Sequence, residues 1–223
     1  HQLKKLSPVD DIALLWCREH RGRQMDQKRT TVRSLSSDTG IFTVSLDFEL
    51  YWGVRDKTDL ESYKANLLGE RNVIPYLLDL FAKADVHATW ATVGFLFFDQ
   101  KDELLAHLPP LRPGYRDRNL SPYDHVMRIG PNEQKDPFHY ARSLICRILQ
   151  FPGQEIGTHT FSHYYCLEEG QIVNEFRADL RAAYGAAERL GIDLKSLVFP
   201  RNQWRPDYLP ACAEAGVRVV RGP

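Results

Sequence analysis

Two histidines and two acidic residues give the clearest chemical signal in the sequence. His159 and His163 lie four residues apart in EIGTHTFSHYY (155–165), and Asp47 and Glu49 lie in SLDFEL (45–50). Neutral imidazoles at this spacing suit zinc or a similar divalent ion, and they would share one helical turn just after a strand. A catalytic zinc site usually adds one carboxylate and leaves a position open for water. An H-x-x-x-H pair has little specificity by itself, and the alternative is two unrelated polar residues near a strand end.

The acidic pair is predicted to lie on one face of the first strand. Side chains alternate across a strand, so Asp47 and Glu49 point the same way and Phe48 points into the opposite, packed layer. Ligands of parallel α/β folds bind at the carboxyl ends of the strands, where two neighbouring carboxylates favour a cation. The alternative is an edge strand whose polar face lies in water. Tyr51, Trp52 and Gly53 follow the strand and could form a pocket wall and a turn.

The elements that must position these residues alternate between strands and helices from Ile41 onwards. Predicted strands cover 41–50, 87–97, 154–159, 196–200 and 217–222, and predicted helices cover 74–85, 136–151, 170–191 and 205–216. Pro75 and Pro137 are predicted to lie in the first turns of their helices. Residues 99–135 read as a long excursion over the surface. This order predicts parallel β-α-β units, in a barrel or an open doubly wound sheet, and five strands do not close a barrel of eight.

Composition favours one folded domain after an N-terminal lead-in. The chain has 223 residues, 43% of them hydrophobic, which is enough for one buried core. Residues 1–40 are predicted to form a short helix (7–20) and a flexible polar segment, and residues 41–223 the α/β domain. The formal net charge of +0, without a basic cluster, gives no reason to expect nucleic acid or an anionic membrane as a partner. No apolar run is long enough for a transmembrane helix. The four cysteines form no C-x-x-C pair, which favours a reduced, cytoplasmic setting.

SLDFE and HTFSH, in this order and separated by strand-helix-strand, resemble the first two motifs of the polysaccharide deacetylases, the NodB-homology carbohydrate esterases. His159, Thr160 and His163 match the family's H-[ST]-x-x-H motif. Its first motif is commonly T-F-D-D, whereas here Phe48 follows Asp47. In branches with D-x-D or D-x-E the carboxylate two residues on takes the metal role, which the same-face arrangement also gives to Glu49. The resemblance implies the distorted seven-stranded (β/α) barrel of this family, incomplete in this chain, with its C-terminal part missing.

Other segments extend the resemblance less specifically. ATWATVGF (88–95) resembles the family's second-strand segment, and LVFPRNQ (197–203) occupies the place of its third motif. The resemblance implies that Arg201 orients Asp47 or contacts substrate; the alternative is a surface arginine after a strand-ending proline. The predicted substrate-binding residues are Tyr51, Trp52, Trp90 and Asn202. The family's late histidine, a general acid, has no counterpart before Pro223. His87 is expected at a strand start, and His125 and His139 on the surface of the excursion.

The resemblance implies a metal-dependent hydrolase that removes N-acetyl groups from an amino-sugar polysaccharide, such as one of the cell surface, or from a glycan intermediate. A divalent ion, with zinc favoured, would be held by Glu49, His159 and His163, and Asp47 would accept the proton of a bound water. Two alternatives stay open: a non-catalytic domain that binds carbohydrate or a partner protein, and another C–N hydrolase, for example one that cleaves ureides. The 223 residues alone are expected to be poorly active, and either homo-oligomeric or completed by residues outside the sequence.

Overall fold

A computed structural model describes residues 42–221, in which five parallel strands form one sheet in the order β1-β2-β3-β4-β5. The strands are β1 (Val44–Phe48), β2 (Ala88–Thr92), β3 (Gln154–Thr158), β4 (Ser196–Val198) and β5 (Val219–Arg221). The helices are α1 (Leu60–Ala84), α2 (Lys101–Ala106), α3 (Tyr123–Val126), α4 (Arg142–Ile148), α5 (Val173–Glu188) and α6 (Leu209–Ala215). The predicted helix at 7–20 and the lead-in after it lie outside the described residues.

The sheet curls, so that its two outer strands face each other. In a flat sheet with strands about 4.8 Å apart, β1 and β5 would be roughly 19 Å apart. Instead the guanidinium of Arg221 on β5 donates to Ser45 Oγ at 2.9 Å and to Asp47 Oδ1 at 2.7 Å, both on β1. The strands and their helices therefore form a curled half-barrel, and the predicted incomplete (β/α) barrel is confirmed.

The two faces of β1 have different roles. Phe48 is buried and meets the indole of Trp90 edge-on, with ring centroids 6.4 Å apart, and Phe81 of α1 packs on the same indole. Ser45 and Asp47 lie on the other face, since both bind Arg221 across the inside of the curl. This alternation follows the predicted one, with the apolar face packed under α1 and the polar face turned inwards.

Helix α1 is much longer than the predicted helix at 74–85. It begins after Asp59, whose carboxylate accepts from Ser62 N at 2.9 Å, and it ends at Ala84, before Asp85, which is left-handed with φ 52°. Pro75 lies inside this helix and not in its first turn, so that part of the prediction is wrong. The signal that was missed is the Asp59 cap, because a proline marks a helix start only where no earlier residue caps the helix.

Other boundaries are shorter than predicted. β2 ends at Thr92, and the chain turns into a 3₁₀ helix over Gly94–Phe97, while α4 covers only the second half of the predicted helix at 136–151. The predicted surface excursion at 99–135 is instead part of the core at several points, because its apolar side chains pack inwards; the buried ones include Leu104, Tyr115, Tyr123 and Ile129. None of the helices within residues 42–221 has the length and apolar composition needed to cross a bilayer.

Candidate metal centre

Three side chains that are distant in sequence converge at the carboxyl ends of β1 and β3. Glu49 Oε2 lies 2.9 Å from His163 Nε2 and 3.3 Å from His159 Nε2. One ligand atom from each residue falls within 4.8 Å of the other two, and within residues 42–221 this is the sole group of three or more metal-ligating side chains. The structure thus brings together the carboxylate and the two imidazoles that the sequence predicts as ligands.

Strand register explains the convergence. β1 and β3 flank β2, with Phe48 paired to Thr92 and Thr92 paired to Thr158, so the three strands end at the same level. Glu49 and His159 are the residues directly after these ends, and His159 N donates to Thr92 O at 2.9 Å. The site therefore lies where parallel α/β folds bind ligands.

His163 reaches the site from an irregular loop and not from the predicted helical turn. Thr160 and His163 are left-handed, with φ 64° and 58°, and Tyr164 N donates to Thr160 Oγ1 at 2.7 Å. Asp179 of α5 holds this loop by accepting from Phe161 N at 2.6 Å and from both the amide and the hydroxyl of Ser162. The four-residue spacing does bring the two imidazoles together. The loop that does so is held by Asp179, sixteen residues after His163.

Backbone strain is concentrated around the same site. Residues 42–221 contain six non-glycine residues with positive φ, and one of them, Asp85, ends α1. The other five lie on the three loops of the site: Leu50, Thr160, His163, Arg201 and Asn202. Left-handed non-glycine residues cost free energy and gather where a site imposes its own geometry.

The tautomer of His159, with its proton on Nδ1, makes the cluster suitable for binding a cation. His159 Nδ1 lies 2.9 Å from Val198 O, and a carbonyl only accepts, so Nδ1 carries the proton and donates. In the neutral ring the lone pair of Nε2 then faces Glu49 Oε2, another acceptor, at 3.3 Å. Two acceptors face each other stably when a positive charge lies between them, either a proton or a metal ion.

The donor set fits a divalent ion. Ligand atoms about 2.0–2.1 Å from a tetrahedral zinc are about 3.3 Å from each other, close to the 2.9 and 3.3 Å found here. Two imidazole nitrogens and one carboxylate oxygen leave a fourth position for water or substrate, the arrangement of a catalytic zinc site.

Electrostatics favour the charge states that bind metal. Burial raises the pKa of Glu49, but hydrogen bonds and charge interactions with His159 and His163 outweigh it and hold that pKa well below its usual value. Burial lowers the pKa of His163, although the hydrogen bond with Glu49 opposes this. The carboxylate is therefore ionised, and His163 is biased towards its neutral, ligating form.

The predicted catalytic residues Asp47 and Arg201 have partners other than those expected. Asp47 lies outside the three-residue cluster, half-exposed, with its Oδ1 bound by Arg221 at 2.7 Å. Arg201 does not orient Asp47: its Nη2 donates to Asp56 Oδ1 at 2.6 Å, and its guanidinium lies over the ring of Tyr165. The alternative of a surface arginine is also too simple, since Arg201 is tied to the loop that carries Glu49. The roles of Asp47 and Arg201 in chemistry stay predictions.

Three of the four predicted substrate-binding residues are core residues. Tyr51, Trp52 and Trp90 are at most 4% exposed, which leaves no aromatic face for a sugar and corrects their predicted role. Trp52 Nε1 donates to His139 O at 2.9 Å, and Trp90 packs behind the sheet. Asn202 is exposed beside Arg201, and its predicted contact with substrate stays a prediction.

Among the histidines considered as general acids, two are not on the surface as predicted. His139 is buried, with Nδ1 2.8 Å from Asp136 Oδ1 and Nε2 2.8 Å from His125 Nε2. Burial, followed by the charge of His139, lowers the pKa of His125 to about 4, so this ring is neutral at pH 7. The two rings pack against Tyr51 and Trp52 and act as hydrogen-bonding groups of the core. His87 is exposed next to the start of β2, where the sequence places it.

Sequence reasoning missed three residues that shape the site, Asp56, Tyr165 and Asp179, and it gave Gly53 only the role of a turn. The carboxylate of Glu49 packs against Gly53 so closely that a Cβ there would lie 2.0 Å from Glu49 Cδ. The glycine after the aromatic pair was a usable signal, since close approach is one reason for glycine. Asp56 and Tyr165 carry no local signal, because their partners lie far away in sequence.

Comparisons with known proteins agree with the fold. No family model and no curated protein matches the chain. A putative polysaccharide deacetylase from Mycobacterium smegmatis has a TM-score of 0.50 at 14% identity, over 82% of this chain and 51% of its own length. PplD, a Streptococcus pyogenes deacetylase solved with acetate, has a TM-score of 0.48 at 10% identity, over 94% of this chain and 69% of its own. BA3943, a CE4 family pseudoenzyme from Bacillus anthracis, has a TM-score of 0.38 at 14% identity, over 80% of this chain and 42% of its own.

The mycobacterial structure indicates the class of fold. The chain has the fold of the polysaccharide deacetylases, as its resemblance predicts. It spans about half the length of the mycobacterial structure. Activity, substrate and partners are therefore matters for proposal.

Proposed function

We propose that the protein is a metal-dependent hydrolase that removes N-acetyl groups from amino-sugar glycans. In this proposal it represents a branch of the deacetylases whose first motif is D-x-E in place of D-D. The observation that carries the proposal is the opposition of Glu49 Oε2 and His159 Nε2, two acceptors at 3.3 Å beside His163. A core that buries two imidazoles against a carboxylate gains from a cation between them. Zinc is the divalent ion we propose, because two nitrogens and one oxygen suit it.

A divalent ion at this place would activate a water and polarise the acetamide carbonyl. Glu49 remains ionised and supplies the negative charge that offsets the ion. His159 and His163 present Nε2, and their Nδ1 atoms are fixed by Val198 O and by the hydroxyl of Tyr165, 2.9 Å away in each case. These contacts hold the ring planes in place before substrate arrives.

We assign proton transfer from the water to Asp47, as the resemblance implies. Its Oδ1 accepts from Arg221, so Oδ2 is the atom that would take the proton. Because the pair spans β1 and β5, the conformation that brings Asp47 to the site depends on how the barrel is closed there. We propose no residue of this chain as the acid that protonates the leaving amine.

One observation favours the alternative of a non-catalytic domain that binds carbohydrate or a partner protein. Asp47 is paired with Arg221 and stands apart from the Glu49 cluster. A domain with a metal centre and no base would bind a glycan without turning it over, and its binding would survive Asp47→Asn. A C–N hydrolase with a different substrate, such as a ureide, would use the same three ligands.

The first experiment measures bound metal. Wild-type protein loaded with zinc and dialysed should retain about one equivalent by mass spectrometry of metals, whereas His159→Ala should retain little, because it removes one of three ligands. His87→Ala is the matched control, since His87 is exposed and distant from the ligands in sequence. Equal zinc in wild type and His159→Ala would refute the metal centre.

The second experiment measures turnover. Zinc-loaded protein given chitin-type N-acetylglucosamine oligomers should release acetate at a low but measurable rate, since the 223 residues alone are expected to be poorly active. Asp47→Asn should lower this rate by about 10²–10⁴-fold with metal content unchanged, because a proton acceptor is lost. Oligomer binding without acetate would favour the binding domain. Ammonia or ureide cleavage in place of acetate release would favour the other hydrolase.

The proposal extends to the setting of the protein. A glycan of the cell surface or a glycan intermediate is the proposed substrate, and assembly into homo-oligomers is the proposed way to cover the open sides of β1 and β5. The cytoplasmic location predicted from the cysteine pattern stays a prediction.

A further inference from the structure

We propose that Asp56, Arg201 and Tyr165 form a positioning chain that holds the imidazole of His163 for metal binding and thereby sets the metal affinity of the site. The inference rests on the proposed metal centre and adds three residues to it. None of the three is a ligand, and Asp56 and Tyr165 lie outside the motifs that carry the resemblance.

A continuous series of contacts links Asp56 to the ligands. Asp56 Oδ1 accepts from Arg201 Nη2 at 2.6 Å, and Arg201 Cζ lies 4.6 Å from the centroid of the Tyr165 ring. The hydroxyl of Tyr165 is 2.9 Å from His163 Nδ1, and His163 Nε2 is 2.9 Å from Glu49 Oε2. Each contact fixes the position or the plane of the next group.

The burial of the Asp56 carboxylate indicates a functional role, because this burial is unfavourable for stability. Its side chain is 1% exposed, and its Oδ2 is buried without a hydrogen bond among the described residues, with the ammonium of Lys57 3.8 Å away. Such a carboxylate is expensive to bury, and a buried ion pair seldom repays that cost in stability. Burial raises the pKa of Asp56, but the hydrogen bond and charge of Arg201 outweigh it and keep the carboxyl ionised.

The backbone of Arg201 has a left-handed conformation, which is unfavourable for a non-glycine residue and needs support from neighbouring groups. Arg201 and Asn202 both have φ 53°, in the short 3₁₀ turn Pro200–Asn202 that follows β4. This strained turn directs the guanidinium back over the Tyr165 ring and towards Gly53 O, which lies 3.5 Å from Nη2. The Asp56–Arg201 contact thus joins the loop after β1 to the loop after β4. Tyr165 links this contact to the imidazole of His163.

The chain has two physical effects on metal affinity, and both act in the same direction. First, a fixed Tyr165 hydroxyl accepts the Nδ1 proton of His163, so that the Nε2 lone pair is turned to the metal. Second, Asp56 neutralises the positive charge that Arg201 would otherwise place near a bound cation. Loss of Asp56 therefore loosens the Tyr165 ring and leaves an uncompensated charge beside the site.

The test compares zinc affinities of the full 223-residue chain by competition with a chromophoric chelator. Tyr165→Phe and Asp56→Asn are each expected to raise the zinc Kd by about 10–100-fold, the usual cost of removing a group that orients a ligand.

Tyr164→Phe is the matched control for Tyr165→Phe, because the Tyr164 hydroxyl is bound to Gln171 and Ile172 O. Asp136→Asn is the control for Asp56→Asn, because this buried carboxylate orients His139, which is not a ligand. Both controls should keep the Kd within about threefold of wild type.

The outcomes separate this inference from the proposed function. Wild-type zinc binding with unchanged Kd values for Tyr165→Phe and Asp56→Asn would overturn the positioning chain and leave the metal centre standing. Absence of zinc binding by the folded wild type would overturn both. Circular dichroism with a chelator present verifies folding, and Tyr165→Phe, which removes a single oxygen, decides the question if Asp56→Asn does not fold.

Discussion

At the scale of single residues, chemistry was readable where residue type and spacing coincided with the ends of strands. Glu49, His159 and His163 were predicted as one site because two strand ends carry them and parallel strands end together. The partner of Arg201 could not be predicted, because Asp56 is 145 residues away in the chain and has no pattern around it. The aromatic pair Tyr51 and Trp52 was ambiguous for a different reason: aromatics after a strand suit a pocket wall and a core equally well, and here the core takes them.

Gly53 gives a prediction at this scale. A methyl group at residue 53 would lie 2.0 Å from Glu49 Cδ, so Gly53→Ala should displace the carboxylate, weaken zinc binding about tenfold or more and destabilise the protein by about 1–3 kcal/mol. Thermal unfolding and zinc titration measure the two effects. Gly185→Ala is the matched control, because a Cβ there has open space within α5 and should stabilise the helix by up to about 1 kcal/mol. Identical behaviour of the two variants would show that the close approach is unimportant.

At the scale of elements, the order of strands and helices was predictable but their ends were not. Alternating apolar patterns located all five strands, whereas α1 was predicted too short because the cap at Asp59 precedes a mostly exposed first half. The H-x-x-x-H spacing alone predicts a helical turn for the loop that carries His163. The structure holds it in left-handed conformations through Asp179, and a side chain from a later helix is not visible in a local pattern.

Asp179 provides the prediction at this scale. Asp179→Ala should destabilise the protein by about 2–4 kcal/mol, because it leaves the amides of Phe161 and Ser162 and one hydroxyl buried without an acceptor. Asp179→Asn keeps one carbonyl oxygen and should cost less. Chemical denaturation measures both, and Arg177→Ala, which breaks an exposed ion pair on the same helix, should cost far less than Asp179→Ala. Equal losses for Asp179→Ala and Arg177→Ala would mean that the loop holds itself.

At the scale of the whole molecule, the strand count and the parallel order followed from the sequence, but the curl did not. Curl results from the twist of neighbouring strands and from how they pack, and here it is visible in Arg221 reaching across to Asp47. Because β1 and β5 lie close together, Asp47 is paired with Arg221. The sequence could only predict on which face of β1 Asp47 lies. Titration is also a property of the whole fold, since burial by one element and charge on another act on the same group.

Glu70 of α1 illustrates this coupling between elements. Burial, and then the charge of Glu49, raise the pKa of Glu70 from 4.5 to about 7. The native state therefore keeps a proton that the unfolded state releases near pH 4.5, so this group's stabilising contribution is complete below pH 4.5 and is lost as pH rises to about 7. In chelator-treated protein, Glu70→Gln should be more stable than wild type by about 1–3 kcal/mol at pH 8 and almost equal to it at pH 4. Chemical denaturation at the two pH values measures the difference. A gain for Glu70→Gln that is the same at both pH values would mean that the removed charge is not its cause, because titration alone predicts a gain that grows as Glu70 loses its proton.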